Sequence, residues 1–415
     1  HKTIVFDSMP NAGGMLRYGV PAYRLPKSDL DDEIKYICQD IGVDIRCNQK
    51  LGRDFSFEDL RRDYDGVYLA LGAQLPTMLR FPGSDSKGVL GGVDFLREVA
   101  MGQRPNLGKK VIVIGGGNVS VDVARTCRRL GVENVILTCI LRREDMPAHP
   151  LEIKEAIAEG VTIDNLAQPM KIIPQADGSF HAEYRRRPAT ADIFDFAISI
   201  PGTEYIIPAD TVILAIGQRL DSKLCTDQGI PLNARGNGIA AANDKTYIST
   251  LPEGGAKGKC VGVFMGGDAV LGPMTVVHAV STARKAARAM SWLLAGKNLA
   301  DLPTDPNDPV GYFHDRGTLP ELLATQKTVV QGPKRVPYYA NVPLSGRAQT
   351  IETMHPHEAV KTFEPVTGPF TEEMAKAEAN RCLQCGCGVA KTCHLRKVAQ
   401  EVGFDHRTNV PTKPV

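Results

Sequence analysis

At 415 residues the chain is too long for one ordinary core, and its length points to two or three domains. With 43% hydrophobic and 23% charged residues it reads as globular, and a formal charge of +2 argues against nucleic acid or a membrane surface as partner. No run of about eighteen apolar residues is present, so no membrane insertion is expected, and residues 1–6 lack the apolar core of a signal peptide.

Residues 3–7 read as a short buried strand ending in the acid Asp7, and 10–14 as a turn. Residues 29–41 suit a helix with Leu30, Ile34, Ile37, Cys38 and Ile41 on one face. A strand follows at 43–47, then a short helix capped by Ser56 and holding Leu60, then a buried strand, GVYLALG, over 66–72. This alternation argues for an α/β fold, a parallel sheet with helices on its faces. A second sheet opens at Lys109: an apolar strand 111–114, three glycines, a helix from 118 to about 130, a strand 134–141, a helix 152–159 and a strand 161–166. Residues 171–207 look like strands joined by turns. The strand TVILAIG at 211–217 mirrors 67–72, and another covers 260–267. A long helix at 274–294 is expected to bury Val276, Val280, Ala283, Ala287 and Leu294. The proline-rich stretch 301–370 reads as a wrapping segment or linker, and 371–381 as a short helix.

The sharpest local signal is Val111-Ile112-Val113-Ile114-Gly115-Gly116-Gly117-Asn118-Val119-Ser120. Gly115 permits a tight turn, Gly117 lets the backbone approach a pyrophosphate, and Ser120 is small enough for close helix–sheet packing. A phosphate would then meet free N–H groups at the positive end of a helix. The bland alternative, a merely tight βα turn, is the weaker reading once the flanking strand and helix are counted. The next strand ends in Arg142-Arg143. An acid in that place favours NAD, whereas arginines can hold a 2′-phosphate bidentately. NADP(H) is favoured, and Glu144 keeps NAD(H) open. Gly267-Asp268 closes a later strand, where an aspartate can accept hydrogen bonds from a flavin's ribityl hydroxyls and the helix behind it can stabilise a reduced flavin.

Six of the ten cysteines (Cys38, Cys47, Cys127, Cys139, Cys225, Cys260) are scattered like buried thiols, which argues for a reducing compartment and hence a cytoplasmic location. The other four, Cys382, Cys385, Cys387 and Cys393, form C-x2-C-x-C-x5-C. Four thiolates so close together suit a [4Fe-4S] cluster or a tetrahedral zinc, with the cluster favoured. No C-x-x-C precedes the nucleotide loops, so no dithiol partner for a flavin is expected. Arg185-Arg186-Arg187 reads as a solvated strand edge or turn, and His355 and His357 as loop residues.

Taken in order, Ala12-Gly13-Gly14-Met15-Leu16-Arg17-Tyr18-Gly19-Val20-Pro21, Tyr23-Arg24-Leu25-Pro26-Lys27, the GGGNVSVD loop through Asp122, Arg142-Arg143 with Met146-Pro147-Ala148, Ala215-Ile216-Gly217-Gln218 and Gly267-Asp268 resemble one family. It comprises the small subunit of NADPH-dependent glutamate synthase, the N-terminal half of dihydropyrimidine dehydrogenase and the flavin subunits of electron-bifurcating transhydrogenases. The resemblance covers residues 1 to about 296. It implies two Rossmann-like dinucleotide-binding domains, the NADP domain (108–218) inserted between two parts of an FAD domain (1–107 and 219–300). A linker (301–380) and an irregular extension with the cysteine motif (381–415) would follow.

On the same resemblance, FAD would contact Asp7, Gly14, Leu16, Gly72, Gly267, Asp268, Thr275 and Val276. The NAD(P) site would take in Gly115, Gly116, Gly117, Asn118, Val119, Arg142, Arg143 and Gly217. Hydride would pass from nicotinamide to flavin with no covalent residue, and electrons would leave through iron–sulfur centres, with or without bifurcation. Ferredoxin-like modules and other subunits of a complex are the implied partners. Family members open on a strand with their own glycine loop for FAD, and this sequence starts after it, which suggests a piece of a longer polypeptide. Two alternatives stand beside an iron–sulfur electron-transfer module: the glutamate synthase small subunit itself, and a redox-silent scaffold that has lost FAD.

Overall fold

The computed structural model describes residues 1–78, 81–190, 198–234, 236, 238, 246–249, 260–303 and 353–381. In chain order the first elements are β1 (Ile4–Phe6), α1 (Gly14–Tyr18), α2 (Lys27–Gln39), β2 (Asp44–Arg46), α3 (Phe57–Asp63), β3 (Val67–Leu69) and β4 (Leu75–Pro76). Then come β5 (Val89–Gly91), α4 (Gly92–Ala100), β6 (Lys110–Ile114), α5 (Asn118–Arg129), β7 (Asn134–Cys139), α6 (Pro150–Ala158) and β8 (Val161–Asn165). Strands β9 (Ala167–Pro174), β10 (Phe180–Arg186), β11 (Tyr205–Ala209), β12 (Thr211–Leu214) and β13 (Gln218–Arg219) follow. The rest are α7 (Ser222–Asp227), β14 (Val263–Met265), α8 (Asp268–Leu271), α9 (Val276–Leu294), α10 (Pro356–Ala359) and α11 (Glu372–Arg381). His1–Leu299 and Thr353–Thr367 form one compact unit. A second comprises Ala300–Glu352 and Gly368–Val415, and its described helix is α11.

The central sheet is parallel, in the order β5-β12-β6-β7-β8. Its β6 is buried on both faces from Val111 to Ile114, as a central parallel strand must be. Alternate side chains serve two cores. Val111 and Val113 pack with Phe95 of α4, Val121 and Ala124 of α5 and Ile153 of α6. Ile112 and Ile114 pack with Ile172, Phe180 and Tyr184 of the antiparallel sheet β11-β10-β9. Each such side chain, fully buried, contributes about 1.5–3 kcal/mol. Helices therefore cover one face and a second sheet the other, not helices on both. The reason is the alternating run in β10, whose Phe180, Ala182 and Tyr184 point inward and close that face without a helix. This sheet reaches back before residue 108, since β5 bonds to β12 and α4 lies in the same core.

The remaining strands make three small pairs. β1 pairs with β2 in parallel, β14 with β3 in parallel, and β13 with β4 antiparallel. Val5 in the middle of β1 is 39% exposed, so that strand is not the buried one its apolar residues suggested; among the described residues it has β2 alone as a neighbour. Ser56 caps α3 as expected, in a reciprocal capping box with Asp59.

Three other expectations are corrected. On α9, Val276, Val277 and Val280 are exposed, and Thr282, Ala286 and Ala289 are buried instead. Small residues face the sheet there because the helix lies close to the backbone: the N–H of Gly267 donates to Thr282 Oγ1 at 2.8 Å. Arg187 is not solvated but 3% exposed, its neighbours Arg185 and Arg186 being paired with Glu204 and Asp164. His357 belongs to α10 rather than a loop, and His355 precedes the helix as its N-cap, its imidazole accepting from the N–H of His357, with Pro356 preset for the first turn. No helix among the described residues is long and apolar enough to cross a membrane.

Candidate functional site

The glycine loop is shaped by close approach at one residue and by open space at another. Gly115 has φ +154°, and a Cβ built on it would stand 2.3 Å from the carbonyl oxygen of Ala215. A Cβ on Gly116 would meet the sulfur of Cys139 at 2.5 Å. Around Gly117 nothing lies within 4 Å of such an atom. Gly117 is the N-cap of α5 and supplies no side chain to its free N–H groups. That helix end therefore offers backbone donors and a positive partial charge to an anion. Ser120 is fully buried, and its hydroxyl donates to the carbonyl of Gly117 at 2.6 Å, which locks the turn.

The other residues assigned to this nucleotide sit on the same edge of the sheet. Gly217 lies just beyond β12, Gly115 just beyond β6, and Arg142 and Arg143 just beyond β7. Val119 packs at the margin of the helix-side core. The amide oxygen of Asn118 accepts from the N–H of His149 at 2.8 Å, and the N–H of Ala148 donates to Gly116 at 3.1 Å. The loop after β7 is thus folded against the glycines. The two arginines differ. Arg142 pairs with Asp145 at 2.6 Å and Glu144 at 3.2 Å. Arg143 donates to neutral groups, Asn165 Oδ1 at 2.8 Å and the carbonyl of Ile163 at 3.4 Å.

A second convergence lies at the ends of β3 and β14. Gly72 and Gly267 follow neighbouring parallel strands, and Gly267 has φ +63°, a left-handed conformation that suits glycine. Asp268 follows at once, half-buried, with one carboxylate oxygen accepting from the N–H of Met274 at 3.0 Å. Burial pushes this carboxyl up, opposed by that hydrogen bond and by His278. Thr275 is the N-cap of α9 without a side-chain bond to the helix backbone, its hydroxyl meeting instead the His278 Nδ1 at 2.8 Å. Val276 and Val277 beside it are 51% and 74% exposed. A half-buried carboxylate, an uncapped helix start and bare valines fit the polar and apolar parts of a flavin nucleotide. Asp7 stands on the other ribbon, accepting from the N–H of Met9 at 2.8 Å, and Gly14 opens α1. Leu16 offers its carbonyl to Lys27 Nζ. The metal-ligand candidates Cys382, Cys385, Cys387 and Cys393 lie outside the described residues. The six other cysteines are free thiols.

One charged network went unassigned by sequence reasoning. Arg24 Nη1 donates to both oxygens of Asp122, at 2.8 and 2.7 Å, and its Nη2 to Glu152. Deeper in, Arg125 and Arg129 both bind Glu159, and their guanidinium carbons lie 4.9 and 3.7 Å from the centre of the Tyr23 ring. The available signal was the spacing of Asp122, Arg125 and Arg129, which places three charges on one face of α5.

Comparisons with known proteins show the family and the fold. The family model described as pyridine nucleotide-disulphide oxidoreductase matches residues 2–283. The NADP(+)-dependent formate dehydrogenase subunit beta of Moorella thermoacetica is 34% identical over 402 residues, covering 93% of this chain and 51% of that protein. The NADPH-Fe(3+) oxidoreductase subunit beta of Geobacter sulfurreducens is 33% identical over 419 residues, 92% of this chain and 57% of that protein. The glutamate synthase (NADPH) small chain of Escherichia coli is 32% identical over 321 residues, 70% of this chain and 64% of that one. The chain thus spans little more than half the length of the first two relatives. FprA of Mycobacterium tuberculosis, solved in complex with NADPH, shares the fold at TM-score 0.58 and 17% identity, over 74% of this chain and 80% of that one.

Proposed function

The chain belongs to the pyridine nucleotide-disulphide oxidoreductase family, and we propose that it is the FAD- and NAD(P)H-binding module of an iron–sulfur electron-transfer complex, with NADP(H) the preferred nucleotide. The observation that carries the reading is the turn from β6 into α5, closed to side chains at Gly115 and open at Gly117. Gly117, Asn118 and Val119 present the helix end to the pyrophosphate. Arg143, held by neutral groups, keeps its positive charge for the 2′-phosphate. Asp268 takes ribityl hydroxyls, the start of α9 at Thr275 and Val276 lies against the flavin, and Asp7, Gly14, Leu16, Gly72 and Gly267 complete its surround. FAD, when bound, accepts two electrons as hydride and can release them singly. No protein nucleophile is required.

Cys382, Cys385, Cys387 and Cys393 supply four thiolates for a [4Fe-4S] cluster. The extent of the matches supports this module over a glutamate synthase small chain. The formate dehydrogenase and Fe(3+) oxidoreductase subunits match 93% and 92% of the chain, against 70% for the glutamate synthase chain. Both of those proteins are named as subunits, which supports partner subunits here, and the use of reduced nicotinamide with the scattered free cysteines supports a cytoplasmic location.

Anaerobically purified protein tests the reading. Released FAD, about four irons per chain lost together in a Cys382→Ser variant, and flavin bleaching by NADPH faster than by NADH are the expected results. Protein without flavin is the redox-silent scaffold and overturns the proposal; flavin without iron leaves a flavoprotein and overturns the cluster.

A further inference from the structure

We propose that Arg24, acting through Asp122, is a positioning residue that locks the dinucleotide helix α5 to the flavin-side segment 13–27 and so sets the nicotinamide for hydride transfer. The inference rests on the reading of the two nucleotide sites given above. Its substance is a continuous path of backbone, hydrogen bonds and one ion pair from one to the other. On the flavin side, Lys27 Nζ donates to the carbonyls of Leu16 at 2.8 Å and Val20 at 2.7 Å, which ties the end of α1 to the start of α2. The N–H groups of Gly19 and Val20 close on Met15. Between these anchors runs the stretch that holds Tyr23 and Arg24.

On the dinucleotide side, Asp122 lies one turn into α5 from Asn118, at the end that receives the pyrophosphate. Its side chain is 7% exposed, and both its oxygens are held by Arg24 Nη1. The other arm of the guanidinium reaches Glu152 on α6. A planar fork gripping two helices fixes orientation as well as distance. Tyr23, 1% exposed, seats the fork: its ring lies under Arg129 and Arg125, and its hydroxyl points to the carbonyl of Asp122 at 3.4 Å. The N–H of Val366 donates to the Tyr23 carbonyl at 3.2 Å and holds that backbone in place. Such stiffness has a purpose in this chemistry. Hydride transfer needs reacting atoms about 3–3.5 Å apart, and a misplacement of about 1 Å can cost on the order of 100-fold in rate.

The test compares wild type with Arg24→Gln, Arg24→Lys and Asp122→Asn as full-length holoprotein. Stopped-flow reduction of bound FAD by NADPH gives a limiting rate and a Kd, and hydrogen–deuterium exchange gives an independent view of the joint. The expected result for Arg24→Gln is a limiting rate down tenfold or more, with FAD content and Kd for NADPH within twofold of wild type. Exchange should rise in 14–25 and 118–124 only. Arg24→Lys, which keeps the charge and loses the fork, should fall between. A rate within twofold of wild type, or a loss that tracks a global rise in exchange or a loss of FAD, overturns the proposal. If Arg24→Gln does not fold, Arg24→Lys and Asp122→Asn decide it by the same criteria. Failure of the wild type itself to be reduced by NADPH would instead count against the function proposed above.

Discussion

A methyl group on Gly115 would stand 2.3 Å from the carbonyl oxygen of Ala215, just past the end of the neighbouring strand β12. Two residues along, a methyl on Gly117 would meet nothing within 4 Å. The two glycines thus serve different ends, and substitution separates them. Gly115→Ala forces backbone apart at a φ of +154° and should cost about 1–3 kcal/mol of stability, read as a lower Tm. Gly117→Ala, at φ −93°, should leave Tm unchanged while weakening NADPH binding tenfold or more, since the methyl occupies the approach of the pyrophosphate. Equal affinity for NADPH in Gly117→Ala and wild type would remove the glycine loop from the binding site.

The two arginines after β7 carry different loads. Arg142 is balanced by Asp145 and Glu144, whereas Arg143 is oriented by the amide of Asn165. Arg143→Ala should raise KM for NADPH by about 10- to 100-fold, the worth of a charge-assisted phosphate contact. KM for NADH should stay within about twofold. Arg142→Ala should do less to NADPH. Steady-state kinetics with both nucleotides checks this, and equal effects on NADPH and NADH would end the assignment of a 2′-phosphate contact.

The stretch from β6 to α5 was legible because local chemistry decides it: four apolar residues, then glycines, then a helix with an apolar face. The face of α9 was not. That helix has valines on one side and small residues, Thr282, Ala286 and Ala289, on another, and periodicity alone favoured the valines. Close backbone approach selected the small face, and the valines were left for something else to cover. The second sheet, β9 to β11, was read only as strands and turns, since its pairing spans a connection from Arg186 to Tyr205. The clasp of Arg24 on Asp122 joins residues 98 apart in sequence, beyond any local pattern. The cysteine motif remains a statement about spacing.

Glu159 is the anion shared by the buried Arg125 and Arg129, and Glu155 pairs with Arg125 as well, at 2.6 Å. The side chains of Glu159, Arg125 and Arg129 are 3%, 1% and 0% exposed. Burial alone would raise the Glu159 pKa, but hydrogen bonds from Arg129 and Arg125 override it and hold the carboxyl below its ordinary value. A carboxylate with a depressed folded value stabilises the fold fully above the unfolded value of 4.5 and loses that contribution as pH falls through the folded one. Glu159→Gln leaves buried Arg129 without its anion and Arg125 with Glu155 alone, and should cost about 3–5 kcal/mol at neutral pH. Urea unfolding from pH 7 down to pH 3 measures both effects. The gap between wild type and variant should narrow on the acid side, and a gap independent of pH would refute the role given to the ion pair.

Lys27 should titrate near physiological pH. Burial lowers its pKa to about 8 from 10.5, Arg17 adds to the fall, and Asp122 opposes it. Its two acceptors, the carbonyls of Leu16 and Val20, do not require the charge, because a neutral amine still carries two N–H donors. The native contacts therefore survive deprotonation. Between the folded value of about 8 and the unfolded 10.5, the unfolded chain holds one more proton at this site. Stability should then rise as pH increases through that window. Lys27→Met should abolish that rise while loosening the join between α1 and α2. Carbon-13 and nitrogen-15 NMR of the lysine Cε and Nζ in isotopically labelled, chemically unmodified protein reads the titration directly, with a midpoint near 8 expected for one lysine. In Asp122→Asn, where the opposing charge is gone, the midpoint should move lower still. A midpoint that stays put in Asp122→Asn would show that Lys27 does not sense Asp122, and a midpoint near 10.5 in the wild type would show that the amine is solvated.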